Sequence, residues 1–247
     1  MVLSLALYKK KAKNITLSLV ILIDEATPNI LEENNLAISF CGCGFLGVYH
    51  LGSAVCFKRH GPSMLKRFSR TGGASAGSLV SAILVCNDSK LIECYHDILE
   101  LANIVRNLKY GLLTPGFSLH KHLRMLIEKY ISDDSHLKAD GKVFISVSNF
   151  TSLTNKLISQ YKSKEDLVNS LLASCYIPFF SGIWEKPPVI DGTQCVDGGL
   201  TLNLPTFHDF RTVTVSPFHG EADIAPADKN VVFDWKFSMG KQRINVK

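Results

Sequence analysis

Gly73-Ala74-Ser75-Ala76-Gly77 spells G-x-S-x-G, the pattern that can make a serine hydroxyl nucleophilic. Such a serine sits on a tight strand-to-helix turn, and small neighbours relieve the crowding there. The required context is present: a short strand precedes the motif, and the apolar run Leu79–Cys86 follows it as a helix. The N-terminus of that helix directs free N–H groups at charge developing on a substrate. The competing use of the motif is a glycine-rich turn in which Ser75 or Ser78 merely caps the helix.

A second glycine loop lies upstream, Gly42-x-Gly44-x-x-Gly47. It matches the dinucleotide fingerprint, which also needs an acidic residue about 20 positions further on to hold the ribose. No Asp or Glu occurs between Asn34 and Asn87, so that reading fails. The same loop suits an oxyanion hole, with the N–H groups of Gly42, Cys43 and Gly44 facing a tetrahedral oxygen. Each such donor typically stabilises the transition state by about 2.7–4 kcal/mol. Gly47, with Gly52, also serves close packing of a helix.

The base is read as Asp197, which follows Gln194-Cys195-Val196 and precedes Gly198-Gly199. A carboxylate at a strand end with glycines behind it can approach a neighbouring loop. Asp191-Gly192 reads instead as a hairpin turn within Val189–Val196. A Ser–acid–His order is also satisfied by Ser75, Asp197 and either His208 or His219, so a triad stays open as an alternative.

The elements that must position these groups alternate. Strands are expected at Leu36–Phe40, Arg67–Thr71, Val143–Val147, Lys156–Tyr161 and Thr212–Ser216. Helices are expected at Phe45–Arg59, Leu79–Cys86, Glu93–Asn107, Leu119–Ile131 and Lys164–Cys175, with Gly61-Pro62 and Ile177-Pro178 as stops. This alternation implies an α/β sandwich around a largely parallel, buried sheet. The stretch Glu221–Lys247 shows no strong pattern.

Bulk properties narrow the partners. A net charge of +5 over 247 residues is too small for a nucleic-acid binder but favours an anionic membrane surface. A mean hydropathy of +0.14 fits a large buried sheet or a surface that meets lipid. The seven cysteines, Cys41, Cys43, Cys56, Cys86, Cys94, Cys175 and Cys195, lack paired C-x-x-C spacing, which argues against zinc and for reduced thiols in a cytosolic protein. No apolar run reaches the roughly 18–20 residues of a membrane-spanning helix. Ile15–Ile23, behind Lys9, Lys10, Lys11 and Lys13, imitates a secretory signal, but Asp24 and Glu25 follow at once.

Taken together, Phe40–Gly47 (FCGCGFLG), GASAG at 73–77, SKED at 163–166, Ile177-Pro178-Phe179, VDGG at 196–199, Asn203-Leu204-Pro205 and TVTVSPF at 212–218 resemble the patatin-like phospholipase family. The nearest likeness is to its adipose triglyceride lipase and adiponutrin group, over about residues 35–226. The resemblance implies a three-layer α/β/α patatin-like sandwich with a central, mostly parallel sheet. It implies a Ser75–Asp197 dyad, an oxyanion hole at Gly42, Cys43 and Gly44, and motif glycines at Gly47, Gly73, Gly77, Gly198 and Gly199. It requires no cofactor and no metal. The implied substrate is an acylglycerol, with phospholipid, retinyl ester or acyl transfer as variations.

The implied setting is cytoplasmic, peripheral on lipid droplets or membranes, with an unidentified protein co-activator as a further partner. Residues 1–34 have no counterpart in that group and are read as a poorly ordered extension or an edge strand. Residues 35–220 form the family domain, and 221–247 are read as a tail shorter than the C-terminal region of relatives. That shortening, with the basic cluster Lys58, Arg59, Lys66, Arg67 and Arg70, motivates a second reading: a catalytically silent lipid-surface protein.

Overall fold

A computed structural model describes residues 35–226 and the backbone of 235–239 and 242–246. The expectations for residues 1–34, including Ile15–Ile23 and the lysines before it, lie outside the described residues. The chain opens with β1 (Leu36–Phe40), every residue of which is buried. A tight turn at Gly44–Leu46 leads into α1 (Gly47–His60), which stops at Gly61; Pro62 then opens the short α2 (Pro62–Leu65). β2 (Phe68–Ala74) runs directly into α3 (Ala76–Cys86) through Ser75. α4 (Leu91–Asn107), α5 (Leu119–Tyr130) and α6 (Ser135–Ala139) precede β3 (Val143–Asn149) and β4 (Asn155–Ile158).

α7 (Lys164–Ser174) begins with the SKED segment, whose sequence accounts for the start. Ser163 accepts from the Asp166 N–H at 3.1 Å, and the Asp166 carboxylate accepts from the Lys162 N–H at 3.1 Å. Together these satisfy donors that a helix start leaves open. β5 (Val189–Ile190) and β6 (Thr193–Asp197) form the expected hairpin about Asp191-Gly192, and β7 (Arg211–Val215) completes the sheet. A separate antiparallel pair, β8 (Trp235–Met239) with β9 (Gln242–Val246), occupies the region for which the sequence showed no strong pattern. Its signal was a period-two alternation, Trp235, Phe237 and Met239 against Lys236 and Ser238.

The fold is the expected α/β arrangement, a seven-stranded sheet flanked by helices. Its path is β5-β6-β3-β2-β1-β7, with β4 also paired to β3. The β3-β2-β1-β7 run is wholly parallel, and the antiparallel pairs gather around β3 and β6. Val143, Ile145 and Val147 of β3 join one apolar cluster with residues of α3, α5 and α7. Ile38, Phe40, Val213 and Val215 join a second cluster with residues of α1 and α3. The alternate β3 residues meet the segment after β6: Ser146 donates to the Leu202 carbonyl, Ser148 bonds Thr201, and Phe144 lies against Phe207. That alternation is the period of a strand buried on both faces.

One register detail positions everything that follows. Ile145 and Ser146 pair with β2 and β4 at once, so those strands lie on opposite edges of β3. Val147 and Ser148 pair with β4 and β6 at once, so β6 shares the β2 edge. The C-terminal ends of β2 and β6 therefore meet end to end, Ala74 opposite Ser146 and Asp197 opposite Val147. Ser75 is the next residue after Ala74.

Close backbone approaches make this junction intolerant of side chains. A Cβ on Gly73 would strike the Gly77 backbone, one on Gly77 the Phe40 carbonyl, and one on Gly198 the Ser146 carbonyl. At Gly52, on α1, a Cβ would meet nothing within 4 Å, so the close-packing role expected of Gly47 and Gly52 falls to Gly47 alone. Gly77→Ala is therefore expected to destabilise the protein by about 2 kcal/mol or more, whereas Gly52→Ala leaves stability unchanged or raises it by up to about 1 kcal/mol. Urea unfolding of both variants checks the contrast, and equal midpoints for the two would contradict the steric account.

Candidate active site

Ser75 occupies the elbow with φ 52° and ψ −127°, a left-handed conformation unusual for a side-chain-bearing residue. Its N–H is held by Ser174 Oγ at 2.9 Å, and Ser174 in turn donates to the Ser146 carbonyl at 2.7 Å. Its hydroxyl makes no capping bond to α3, so the helix-capping use is not the one adopted. It lies instead among the groups that act on the Asp197 carboxylate, whose pKa it lowers. Ser78, the other capping candidate, donates to the Ser75 carbonyl at 2.7 Å.

Asp197 is 6% exposed. Burial pushes its pKa from 3.8 up to about 6, and hydrogen bonds from Ser75 and from the Gly199 N–H partly oppose that rise. The Gly199 bond is 2.7 Å long. The strand end is fixed on two more sides, because the Asp197 N–H donates to the Tyr176 carbonyl at 2.8 Å and Ser148 Oγ donates to the Asp197 carbonyl at 2.7 Å. Gly198 and Gly199 admit the Ser146 backbone and the Asn203 side chain, respectively.

The glycine loop is brought to the same place, and a Cβ on Gly42 would lie 3.2 Å from the Ser75 Cβ. Its three expected donors are not equivalent. The Gly42 N–H is already given to Asn203 Oδ1 at 3.0 Å. That bond makes Gly42 the loop's anchor to the segment after β6. Gly44 has φ +56°, which lets the loop turn tightly there. Gly47 lets α1 approach the elbow, since a Cβ there would sit 3.1 Å from the Ala76 Cβ.

Among the described residues no hydrogen bond joins either candidate triad histidine to Asp197. His208 is exposed, and His219 Nδ1 bonds the Pro226 carbonyl at 3.0 Å. Neither is among the groups acting on Asp197. Asp191 is the expected turn residue, with φ 48° and an ion pair to Lys156 at 2.7 Å. Of the basic cluster, Lys58 pairs with Asp88 at 3.1 Å, and the Arg70 guanidinium lies over the Phe210 ring at 4.0 Å.

The sequence assigns no role to Ser174, Tyr176 or Cys175, and none to Asn203 although it stands in the quoted Asn203-Leu204-Pro205 motif. It also gives no sign of a thiol–imidazole cluster, in which ligand atoms of Cys41, Cys43 and His50 lie within 4.8 Å of one another. The Cys43 thiol hydrogen bond draws the Cys41 pKa down to about 5, with help from His50, whereas burial pushes Cys43 well up. His50 Nε2 lies 2.9 Å from the Cys41 carbonyl. A carbonyl only accepts, so that nitrogen carries the proton and has no lone pair to offer an ion. The other ring nitrogen, Nδ1, is buried with no hydrogen-bond partner among the described residues.

Comparison with known proteins is consistent with this geometry. A sequence model of the family described as patatin-like phospholipase matches residues 38–209. The human patatin-like phospholipase domain-containing protein 4 is 39% identical over 210 residues, covering 85% of this chain and 82% of that protein. The rat patatin-like phospholipase domain-containing protein 2 is 39% identical over 199 residues, covering 81% of this chain and 41% of that protein. A mouse 1-acylglycerol-3-phosphate O-acyltransferase is 37% identical over 201 residues, covering 81% of this chain and 48% of that protein. The chain thus spans most of the first relative and less than half the length of the other two.

The raised carboxyl sets a stability signature. A folded-state pKa above the unfolded value means that the native state holds the proton more tightly. The contribution is favourable below about pH 3.8 and is lost as pH rises to about 6. Above that, keeping Asp197 charged and buried costs about 3 kcal/mol. Asp197→Asn is expected to unfold at higher denaturant than wild type at pH 7.5, by about 1–3 kcal/mol, with the gap closing towards pH 4. A variant less stable than wild type at pH 7.5 would contradict the burial account.

Proposed function

The chain belongs to the patatin-like phospholipase family, and we propose on that premise that it is a serine lipid-acyl hydrolase working through Ser75 and Asp197. The observation that carries this reading is a strained elbow serine set, by the end-to-end meeting of β2 and β6, beside a buried carboxylate whose pKa is raised to about 6. An ordinary aspartate is a poor base; one lifted by burial is stronger, yet still mostly ionised at pH 7. The substrate class is a fatty-acyl ester, triacylglycerol first, with phospholipid and retinyl ester as variations.

Ser75 attacks the ester carbonyl carbon while Asp197 accepts its proton. The oxyanion that forms is met by the N–H groups of Cys43 and Gly44 and by the N-terminal end of α3. Collapse of the tetrahedral intermediate breaks the ester C–O bond, and the departing alcohol takes the proton from Asp197. Water then attacks the acyl-enzyme, Asp197 again accepts a proton, and Ser75 recovers it as the fatty acid leaves. An acylglycerol or lysophospholipid hydroxyl in place of that water gives acyl transfer. The acyltransferase name of the mouse relative supports including that branch. No histidine enters the cycle.

Hydrolysis of a short-chain nitrophenyl ester tests the assignment. Ser75→Ala and Asp197→Asn are each expected to lower kcat by about 10³-fold or more. His208→Ala and His219→Ala keep the wild-type rate, and Asn203→Ala falls between, by about 10-fold, because it releases the loop anchor. Full activity in Ser75→Ala, or a folded but inactive His208→Ala or His219→Ala, would overturn the dyad.

A further inference from the structure

The segment between α7 and β5 inverts the usual rule of burial. Ser181 is 2% exposed, whereas Phe179 is 68% and Trp184 91% exposed. Ile177, Phe180 and Ile183 are exposed as well, so five large apolar side chains within eight residues face solvent. Monomeric proteins rarely leave so concentrated an apolar patch without a use for it.

This is not a loose loop that failed to pack. Ser181 closes a turn with Ile177 through two 2.9 Å bonds, N–H to carbonyl in one direction and N–H to Oγ in the other. The start of α5 grips the segment at the His120 N–H to the Ser181 carbonyl, 2.9 Å, and at Ser118 Oγ to Glu185, 2.8 Å. Tyr176 Oη donates to the Glu185 carbonyl at 2.6 Å, and Pro178, Pro187 and Pro188 stiffen the rest. Phe179 is held at φ 68°. The backbone is pinned and the polar groups are used internally, which turns the apolar side chains outward.

The segment leaves the site itself, since the Tyr176 carbonyl holds the Asp197 N–H. The other two turns that form the site also carry exposed leucines, Leu46 after Gly44 and Leu200 after Gly199. No helix among the described residues is long and apolar enough to cross a membrane.

We propose that Ile177–Trp184, with Leu46 and Leu200, is the surface that seats the protein on a phospholipid-covered lipid interface, its aromatic side chains entering the headgroup–acyl boundary. The proposal rests on the acyl-hydrolase reading, because such an enzyme must take its ester from a lipid phase and the apolar side chains stand on the segments that hold Ser75 and Asp197. Tryptophan and phenylalanine are the side chains that favour that boundary. The nearby charges nearly balance, with Lys121 paired to Glu185 at 3.7 Å and Lys186 beside it. Insertion rather than charge attraction therefore supplies the affinity.

Phosphatidylcholine vesicles provide the test, read by co-sedimentation of the full chain. Trp184 and Trp235 are its two tryptophans, so Trp235→Phe leaves Trp184 as the fluorescent reporter. Wild type is expected to bind, and Trp184 emission is expected to shift to the blue. Trp184→Ala and Phe179→Asp each weaken binding about 10-fold or more while hydrolysing a soluble short-chain ester within about twofold of wild type. Ser75→Ala binds like wild type, so loss of hydrolysis and loss of docking are separate results. Vesicle binding unchanged in both surface variants would overturn the proposal. So would a concentration-dependent dimer in sedimentation velocity that both variants abolish, with no vesicle binding, which would assign the patch to a second copy of the chain.

Discussion

A carboxylate held out of water, with no cation named among the described groups that act on it, is the constraint around which the rest of this structure is organised. The influences on Asp197 are burial, the Ser75 hydroxyl and the Gly199 N–H, and the first outweighs the other two. An ion-paired aspartate would be more stable and a weaker base. A solvated one would be weaker still in the sense that matters, because water would satisfy it before serine did. The protein holds Asp197 between these limits, and the cost falls on fold stability.

That cost is tolerable because the sheet leaves the carboxylate nowhere else to go. Two strands that run in opposite directions along one edge of β3 end at adjacent positions, so the elbow and the acid are juxtaposed by backbone pairing rather than by flexible side chains. Neutral staples then lock the junction. Ser174 joins the Ser75 N–H to β3, Ser148 joins β3 to the Asp197 carbonyl, and Asn203 ties the glycine loop to the segment after β6. Hydroxyl and amide groups suit this task, since they satisfy buried backbone groups without adding a charge that would pull the Asp197 pKa back down.

Much of this was legible in the chain and some was not, for physical reasons. Strands such as Leu36–Phe40 announce themselves as continuous apolar runs because both faces are buried, and the helix stop at Gly61-Pro62 follows from backbone chemistry alone. The apolar period places the start of α3 at Leu79, three residues late, because Ala76, Gly77 and Ser78 are small beneath the elbow and carry no such period. Ser75, Asp197 and the glycine loop stood out as rare combinations of residue types. Ser174, Tyr176 and Asn203 did not, because they act through main-chain bonds to residues as far as 161 positions away. The internal use of the Gly42 N–H was invisible for the same reason. Phe179 and Trp184 carry no outward signal in the sequence, because it is the packing of Ser181 between them that turns them to solvent.

The pH dependence of Ser75 labelling by a fluorophosphonate tests the central claim most directly, since phosphonylation needs the serine activated but no lipid surface and no second step. The account predicts a labelling rate that rises with one ionisation near pH 6 and levels off above it, and an Asp197→Asn protein that labels slowly with no such rise. A rate independent of pH would contradict it. So would a rise that survives in Asp197→Asn and vanishes when a histidine is replaced.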